Sequence, residues 1–344
     1  MVAWRWSILA WCLVLAAASC HTITGVEPGG PGRIVFLEAA EGQYVGELDG
    51  LVDPACICRA GYDAAFVISL DGTLYRISVS GRSIQQSADL GVTPTSGPTV
   101  MTSPFESGVL LVLTSDARLL RIRTEDLVIV DVAQPGICPS CICSSSDGAY
   151  YYVGDYMQNL VRRFETATAG SAGALELYAP PICLITNTNH PYEYVMGTSD
   201  GGSGGAASII FKLDWHYGYI GGWFPFEWNG NHKVLEAVTA SSEHYLYTVE
   251  PGWAADPGLL WRHEAVGLEP RDSIQLAGRP VCAAGLASRD SVYVCTFSED
   301  SDSSMVYVVD GPTGASQLVH CVAGRAVDIV ADRDGQYVMV LVSD

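Results

Sequence analysis

The chain has 344 residues, of which 49% are apolar and 16% charged, so it can bury a large core and has no disordered bulk. Its 18 basic and 38 acidic residues give a net charge of −20. No basic cluster stands out, which argues against nucleic acid as a partner, because phosphate binding demands grouped cationic side chains. An anionic membrane surface would repel so acidic a chain, so membrane attachment must have another cause.

The first element in chain order is a secretory signal over residues 1–19. Arg5 is its positive residue, residues 8–18 are apolar, and residues 16–19 are small, a pattern too short to span a membrane. Ala17-Ala-Ser-Cys20 resembles the lipobox of bacterial lipoproteins, which implies that Cys20 is the lipidated first residue of the mature chain. Ordinary cleavage after Ala18, with Cys20 an incidental thiol, is the alternative.

The resemblance to lipoproteins implies an exported protein of the cell envelope, held by its lipid in a bacterial membrane, either in the periplasm or at the cell surface. The lipid would be the only membrane contact. Residues 20–32, rich in glycine and proline, are then the attachment cysteine and a tether.

A repeated unit fills the rest of the chain. Each unit opens with a run of small residues, often after proline, and continues with a polar turn and an apolar run. The units begin near Pro54, Pro98, Pro139, Pro181, His232, Pro280 and Ala326, and successive starts are 44, 41, 42, 51, 48 and 46 residues apart. A period in the forties made of short strands is typical of propeller blades.

Each unit offers four strand candidates. The first is short and rich in Cys, Ala, Val and Ile, as expected where strands converge on a narrow axis and small side chains must pack. The second is a continuous apolar run, such as residues 109–113, which predicts a strand covered on both faces. The third alternates and carries a basic residue, which predicts one exposed face, and the fourth is weaker. The acids in the turns between second and third strands are typical of tight hairpins. They are Asp71, Asp116, Asp155 and Asp200.

Counting strands predicts how the ring closes. Only two strands fit before Pro54 and two after Ala326, and together they complete a seventh blade. Because an open ring exposes unpaired backbone, we expect strands 33–38 and 336–342 to pair in one sheet. The fold class is therefore all-β, a seven-bladed β-propeller over residues 33–344. This part of the chain resembles propellers of the YVTN and WD-repeat type in repeat length and strand pattern, which implies a rigid disc that presents loops for binding.

Nine cysteines remain after Cys12 and Cys20, and four of them occupy the same place in the repeat, on the innermost strand. These four are Cys56, Cys141, Cys183 and Cys282. Burial as small apolar side chains explains them without further chemistry. A thiolate metal site is the alternative, and its ligands would be Cys138, Cys141, Cys143 and Cys183.

Disulfides are permitted if the compartment is oxidising. Residues two apart on one strand lie too far apart to be bridged, so neither Cys-Ile-Cys sequence is predicted to be an internal disulfide. Cys282 and Cys295, on adjacent strands of one hairpin, come closest to a feasible register.

The sequence predicts a monomeric binding or scaffolding module with no cofactor rather than an enzyme. The His-Glu-x-x-His motif is absent, and the seven histidines are scattered without metal-ligand spacing. The alternative is a propeller enzyme that resembles lactonases or dehydrogenase subunits, with its site at the mouth of the central channel. Acids, histidine and arginine clustered at that mouth would favour the enzyme.

The candidate binding surface lies where the repeat is longest. Units four and five have extended loops at 198–207 and 250–258, and an aromatic run over residues 217–228 lies between them. Such loops on a rigid ring carry function, and aromatic anchors flanked by acids favour a cationic protein segment or a glycan. We expect one rim that contains Trp228, Trp253, Asp200, Asp256, Glu299, Asp300 and Asp302.

Overall fold

The computed structural model describes residues 30–61, 63–95, 99–104, 107–186, 193–200, 206–215, 218–223, 237–240, 244–250, 258–286, 289–332 and 335–344. In these residues the chain forms 28 β-strands, arranged in seven four-stranded antiparallel sheets. No helix in this part of the chain is long and apolar enough to cross a membrane. The prediction of an all-β, seven-bladed propeller is confirmed. Trp228, Trp253, Asp256, Cys20 and the signal lie outside the described residues.

The first three blades each use four consecutive strands, ordered from the axis outwards. Blade one contains β3 (Pro54–Ala60), β4 (Ala64–Ser69), β5 (Thr73–Ser78) and β6 (Ser83–Asp89). Blade two contains β7 (Met101–Thr102), β8 (Val109–Leu113), β9 (Leu119–Arg123) and β10 (Ile129–Ala133). Blade three contains β11 (Pro139–Ser144), β12 (Tyr150–Asp155), β13 (Leu160–Glu165) and β14 (Ser171–Glu176).

The next three blades repeat this arrangement. Blade four contains β15 (Pro181–Thr186), β16 (Glu193–Asp200), β17 (Ala206–Asp214) and β18 (Gly218–Trp223). Blade five contains β19 (Ala237–Ala240), β20 (Tyr245–Glu250), β21 (Leu259–Glu264) and β22 (Pro270–Gln275). Blade six contains β23 (Arg279–Leu286), β24 (Ser291–Ser298), β25 (Ser303–Asp310) and β26 (Ser316–Ala323).

Blade seven joins the two ends of the described chain. It contains β27 (Arg325–Ala331), β28 (Tyr337–Ser343), β1 (Pro31–Glu38) and β2 (Tyr44–Val52). β1 and β28 pair antiparallel from Gly32 opposite Ser343 to Glu38 opposite Tyr337. Arg33 forms an ion pair with Asp344 beside this seam. The terminal strands thus satisfy each other's backbone groups, and no blade of the described ring is left open.

The repeated Pro-x-Cys sequence is a β-bulge. In four blades the pairing of first and second strands skips the residue between proline and cysteine, and blade seven has the same irregularity at Ala326/Asp328. Proline begins each of these four strands or lies one residue after its start, where the missing N–H costs little. The bulge then decides which face of the blade each following cysteine side chain enters.

A second bulge lies on the outermost strand of every blade. In every blade at least one residue of the fourth strand is skipped in its pairing with the third, and in blade seven two are. The skipped residues are Gln85, Val130, Ala172, Ile220, Arg271, Val319, and, in blade seven, Val45 and Gly50. A bulged edge is a poor template for a further strand, so this feature protects the rim of the disc against edge-to-edge association.

In blades one to five a basic residue of the third strand contacts the next blade. Arg76 donates to the carbonyl of Glu125, Arg121 to that of Thr166, and Lys212 to that of Val266. Arg262 donates to the carbonyl of Gly311. In each case the acceptor lies in or beside the turn between the third and fourth strands of the following blade.

The alternating pattern predicted that these strands have one solvent-exposed face. Two of their basic side chains, Lys212 and Arg262, are instead buried, each only 5% exposed. The alternating pattern of the third strand predicted Arg162 as the basic residue of blade three, but the corresponding residue in the structure is Arg163. Its guanidinium lies 4.8 Å from the ring centre of Trp215 in blade four. Five junctions between blades thus use one basic residue each in the described part of the ring.

Candidate functional site

The turns between second and third strands share one face of the disc with the connections between blades. In three blades the backbone N–H of a turn residue donates to a connection residue, as Leu70 does to Asp53, Ser115 to Thr93 and Tyr156 to Cys138. In blade six the connection donates instead, from Gly324 to Asp302. We call this end of the ring the turn face.

The turn face includes the described members of the predicted rim. Asp200 ends β16, and Glu299, Asp300 and Asp302 form the exposed turn between β24 and β25. None of these three turn acids forms an ion pair with a basic residue in the described part of the chain. The topology therefore brings the acids of blades four and six to one face, and the aromatic half of the rim stays a prediction.

Three acids predicted to be turn formers have that structural role. The Asp71 carboxylate accepts the Thr73 N–H at 2.8 Å, and Asp116 binds both Thr114 and Arg118, which lowers its pKa. Asp155 is fully buried and accepts the Ile137 N–H at 2.8 Å. These carboxylates make hydrogen bonds within their own turns, which is the structural role that the sequence predicted for them.

The inner strands meet closely around the axis. The Ile142 N–H donates to the Thr99 carbonyl at 2.7 Å, and the Leu184 N–H lies 3.4 Å from the Thr99 hydroxyl. Thr99 thus connects blades two, three and four. The seven inner strands, within the bounds that the structure describes, carry one acid, Asp328, and no histidine.

Asp328 is the ionisable group that the sequence did not single out. Its carboxylate accepts the N–H groups of Ile57 and Ile329 at 2.9 and 2.8 Å, and the Cys56 thiol lies beside it. The residue is half-buried, and the loss of solvent around its carboxylate raises its pKa to about 6. Asp328 therefore joins blades one and seven through hydrogen bonds near the axis.

The inner cysteines are buried thiols rather than thiolates. Cys56 and Cys58 enter one layer between blades, Cys141 and Cys143 another, and burial raises the pKa of all four. Both Cys-Ile-Cys pairs share a face of their strand, as predicted. In the described residues no three or more His, Cys, Asp or Glu side chains are grouped so as to hold a metal. The set of Cys138, Cys141, Cys143 and Cys183 is therefore not assembled there.

None of the described histidines lies on an inner strand of the ring. His263 on β21 is fully buried 3.0 Å from the Thr248 hydroxyl, and burial lowers its pKa to about 4. His320 on the outermost strand of blade six stacks on Tyr44 at 5.3 Å. His244 precedes β20 on the face opposite the turn face. The described inner strands thus offer no histidine base for a nucleophile.

No protein-family model and no curated protein sequence matches the chain. Solved structures do resemble it. The WD40 repeats of RRP9 give a TM-score of 0.66 at 11% identity over 92% of this chain and 100% of that one. U3-55K gives 0.64 at 10% identity over 91% and 100% of the two chains. Hydrazine synthase of Kuenenia stuttgartiensis gives 0.66 at 12% identity over 85% and 96%.

The chain is a seven-bladed β-propeller. Its structural neighbours include WD40-repeat proteins, and identities of 10–12% extend the likeness to the fold alone. The individual site must therefore be argued from this chain's own residues.

Proposed function

We propose that the protein is an exported, lipid-anchored scaffold that binds a basic segment of another protein through its turn face. The observation that carries the proposal is the exposed turn Glu299, Asp300 and Asp302, whose three carboxylates have no basic partner among the described residues. The chain's net charge of −20 attracts a cationic partner over a longer range and speeds its association.

The geometry of the ordered N-terminus supports an orientation for this scaffold. The Gly30 carbonyl accepts the Asp53 N–H at 3.1 Å, and the Asp53 carbonyl accepts the Leu70 N–H from the second-to-third strand turn of blade one. The chain therefore enters the ring on the turn face. If Cys20 carries a lipid, only nine residues lie between it and Gly30, so the ten steps along the chain reach at most about 35 Å.

A lipid anchor at that distance holds the turn face towards the membrane. The partner is then a protein with a basic segment near the bilayer surface, where the acidic disc itself has no affinity for anionic lipid. The bulged outer strands favour action as a monomer, because they are poor templates for pairing with a second copy.

Crosslinking in cells tests the proposal. We expect a photoreactive residue placed at Ser301 to capture a membrane-associated protein, and the capture to be lost when the neighbouring Glu299, Asp300 and Asp302 are changed to lysine with the crosslinker still at Ser301. The matched control changes Glu41, Glu125 and Glu269 to lysine. These three exposed acids lie in the turns of the opposite face and give the same change in net charge. Equal capture by both charge-reversed variants would reject the turn face as the site.

A further inference from the structure

The residue opposite the repeated cysteine differs from blade to blade. Cys56 is paired with Ile68, Cys141 with Gly154 and Cys183 with Met196. In blade six, Cys282 is paired with Cys295. We infer that Cys282 and Cys295 form a disulfide across β23 and β24 when the chain folds in an oxidising medium.

The bulge in β23 creates this pairing. Pro280 lies opposite Thr296 and Val281 is skipped, so that Cys282 rather than Val281 comes to lie opposite Cys295. Directly opposed residues of an antiparallel pair have Cα atoms about 4.5–5.5 Å apart. Disulfides span about 4.4–6.8 Å between Cα atoms, so no backbone movement is required.

Both cysteine side chains enter the same packed layer between blades six and seven, beside Ala326 and Ile329. They are 6% and 0% exposed, and neither forms a disulfide with another cysteine of the described chain. Cys321, on the outermost strand of the same blade, is exposed. Of the other two cysteines of this blade, only Cys295 therefore lies where it can form a disulfide with Cys282.

The bond forms by exchange with an oxidant that is itself a disulfide, such as a thiol oxidoreductase or glutathione disulfide. One cysteine thiolate attacks the oxidant and releases the first oxidant thiol, and the other thiolate then displaces the second. The two protein thiols lose their protons and two electrons, and the oxidant disulfide becomes two thiols. Because the folded ring buries both thiols and raises the pKa of Cys282, the exchange takes place before blade seven closes over the hairpin.

Formation in cells rests on the proposed export, so the first test is made in vitro with the full chain. The protein is unfolded, reduced, and refolded with a mixture of glutathione and glutathione disulfide. We expect non-reducing digestion and mass spectrometry to find the Cys282 peptide linked to the Cys295 peptide. The melting temperature should exceed that of the reduced protein by a few degrees, since the bridge constrains the unfolded chain.

Cys282→Ala and Cys295→Ala should each abolish the linked peptide, and Cys321→Ala, in the same blade, should retain it. Alkylating the free thiols before digestion shows which cysteines are unpaired, even if one variant refolds poorly. The inference is overturned if both thiols of the refolded wild-type protein are alkylated, or if Cys282 is linked to another cysteine.

The same mapping on protein taken from cells separates this inference from the proposed export. The bond could form on refolding but be missing from protein isolated from the cell envelope fraction. That result would contradict export to an oxidising compartment, while the inference that the two cysteines can be bridged would still hold. Free thiols in both preparations overturn the disulfide itself.

Discussion

Lys212 Nζ lies 2.6 Å from the carbonyl oxygen of Val266, and this contact joins blade four to blade five. Burial lowers the pKa of this lysine, whose side chain is almost completely covered. The corresponding side chains Arg76, Arg121 and Arg262 make the same connection at other junctions. The disc is therefore held together by polar contacts between blades as well as by its apolar layers.

Replacing Lys212 by methionine should lower the free energy of unfolding by about 1–3 kcal/mol. The substitution keeps most of the apolar stem but removes the hydrogen bond that the Lys212 ammonium donates to the Val266 carbonyl, and a hydrogen bond to a charged group contributes about 1.5–3 kcal/mol. Urea titration followed by tryptophan fluorescence measures the change. Arg123→Met is the control, because Arg123 is half exposed and pairs with exposed Asp126, where little effect is expected. Equal losses in both variants would contradict the connecting role of Lys212.

Removing residues 33–48 should make the protein insoluble or sharply less stable. The deletion takes away β1 and most of β2, so that β28 is left with an unpaired edge and its apolar residues Val338, Val340 and Val342 lose cover. Size-exclusion chromatography and thermal unfolding measure the outcome. Deletion of residues 21–29, which precede the first strand, is the control and should leave the melting temperature unchanged. A folded, monomeric protein after the first deletion would show that the seam is dispensable.

Glu193 should make the protein less stable as the pH rises from about 4.5 to 7. Burial raises the pKa of this carboxyl to about 7, and Oε2 accepts no hydrogen bond from the described residues, although Tyr152 and Trp215 lie beside the group. A pKa raised in the folded state gives stability that is present below the unfolded pKa and lost as the pH passes the folded pKa. The loss is on the order of 1–3 kcal/mol.

Glu193→Gln tests this dependence, because the neutral amide resembles the protonated carboxyl at every pH. We expect the variant to unfold at the same urea concentration as the wild type at pH 5 and at a higher one at pH 8. The pKa of Asp328 is raised to about 6, so this carboxyl also lowers the stability as the pH rises, over a lower pH range. Asp328 is present in both proteins, so its effect cancels in the comparison. Parallel pH profiles for the two proteins would show that Glu193 does not titrate in this range.

Changing Cys20 to alanine should move the protein from the membrane fraction to the soluble fraction, or stop its maturation. An acidic disc has no affinity of its own for an anionic bilayer, and the lipid would be the only anchor. Fractionation and intact mass of the mature N-terminus measure the result. Cys12→Ala, within the apolar part of the signal, is the control and should leave the distribution unchanged. Membrane partitioning that survives in the Cys20 variant would reject the lipid anchor.

The repeat predicted most of the architecture because strand order in a propeller follows the chain. The second strands were the clearest, since runs such as β8 (Val109–Leu113) are apolar on both faces. The apolar pattern predicted the second N-terminal strand over residues 43–48 only. In the structure β2 continues to Val52, because its backbone pairs with β1 although most of its side chains are exposed. Backbone pairing at an edge leaves little trace in side-chain hydrophobicity.

The contacts between blades were not predictable from a single unit. A basic residue on an alternating strand is typical of a solvent-exposed face, and only the neighbouring blade supplies the carbonyl that Lys212 or Arg262 binds. Recurrence of a basic residue at one place in five units was the signal that could have revealed them. Asp328 gave no such signal, because no other described inner strand carries an acid.

The pairing of β1 with β28 decides when the ring can close during synthesis. Gly32 and Ser343 pair with each other, and the chain between them takes roughly a quarter of a minute or more to synthesise at about 5–20 residues per second. Throughout that interval blade seven lacks two of its strands, so the ring cannot close. The synthesis of β27 and β28 therefore decides when the ring can close.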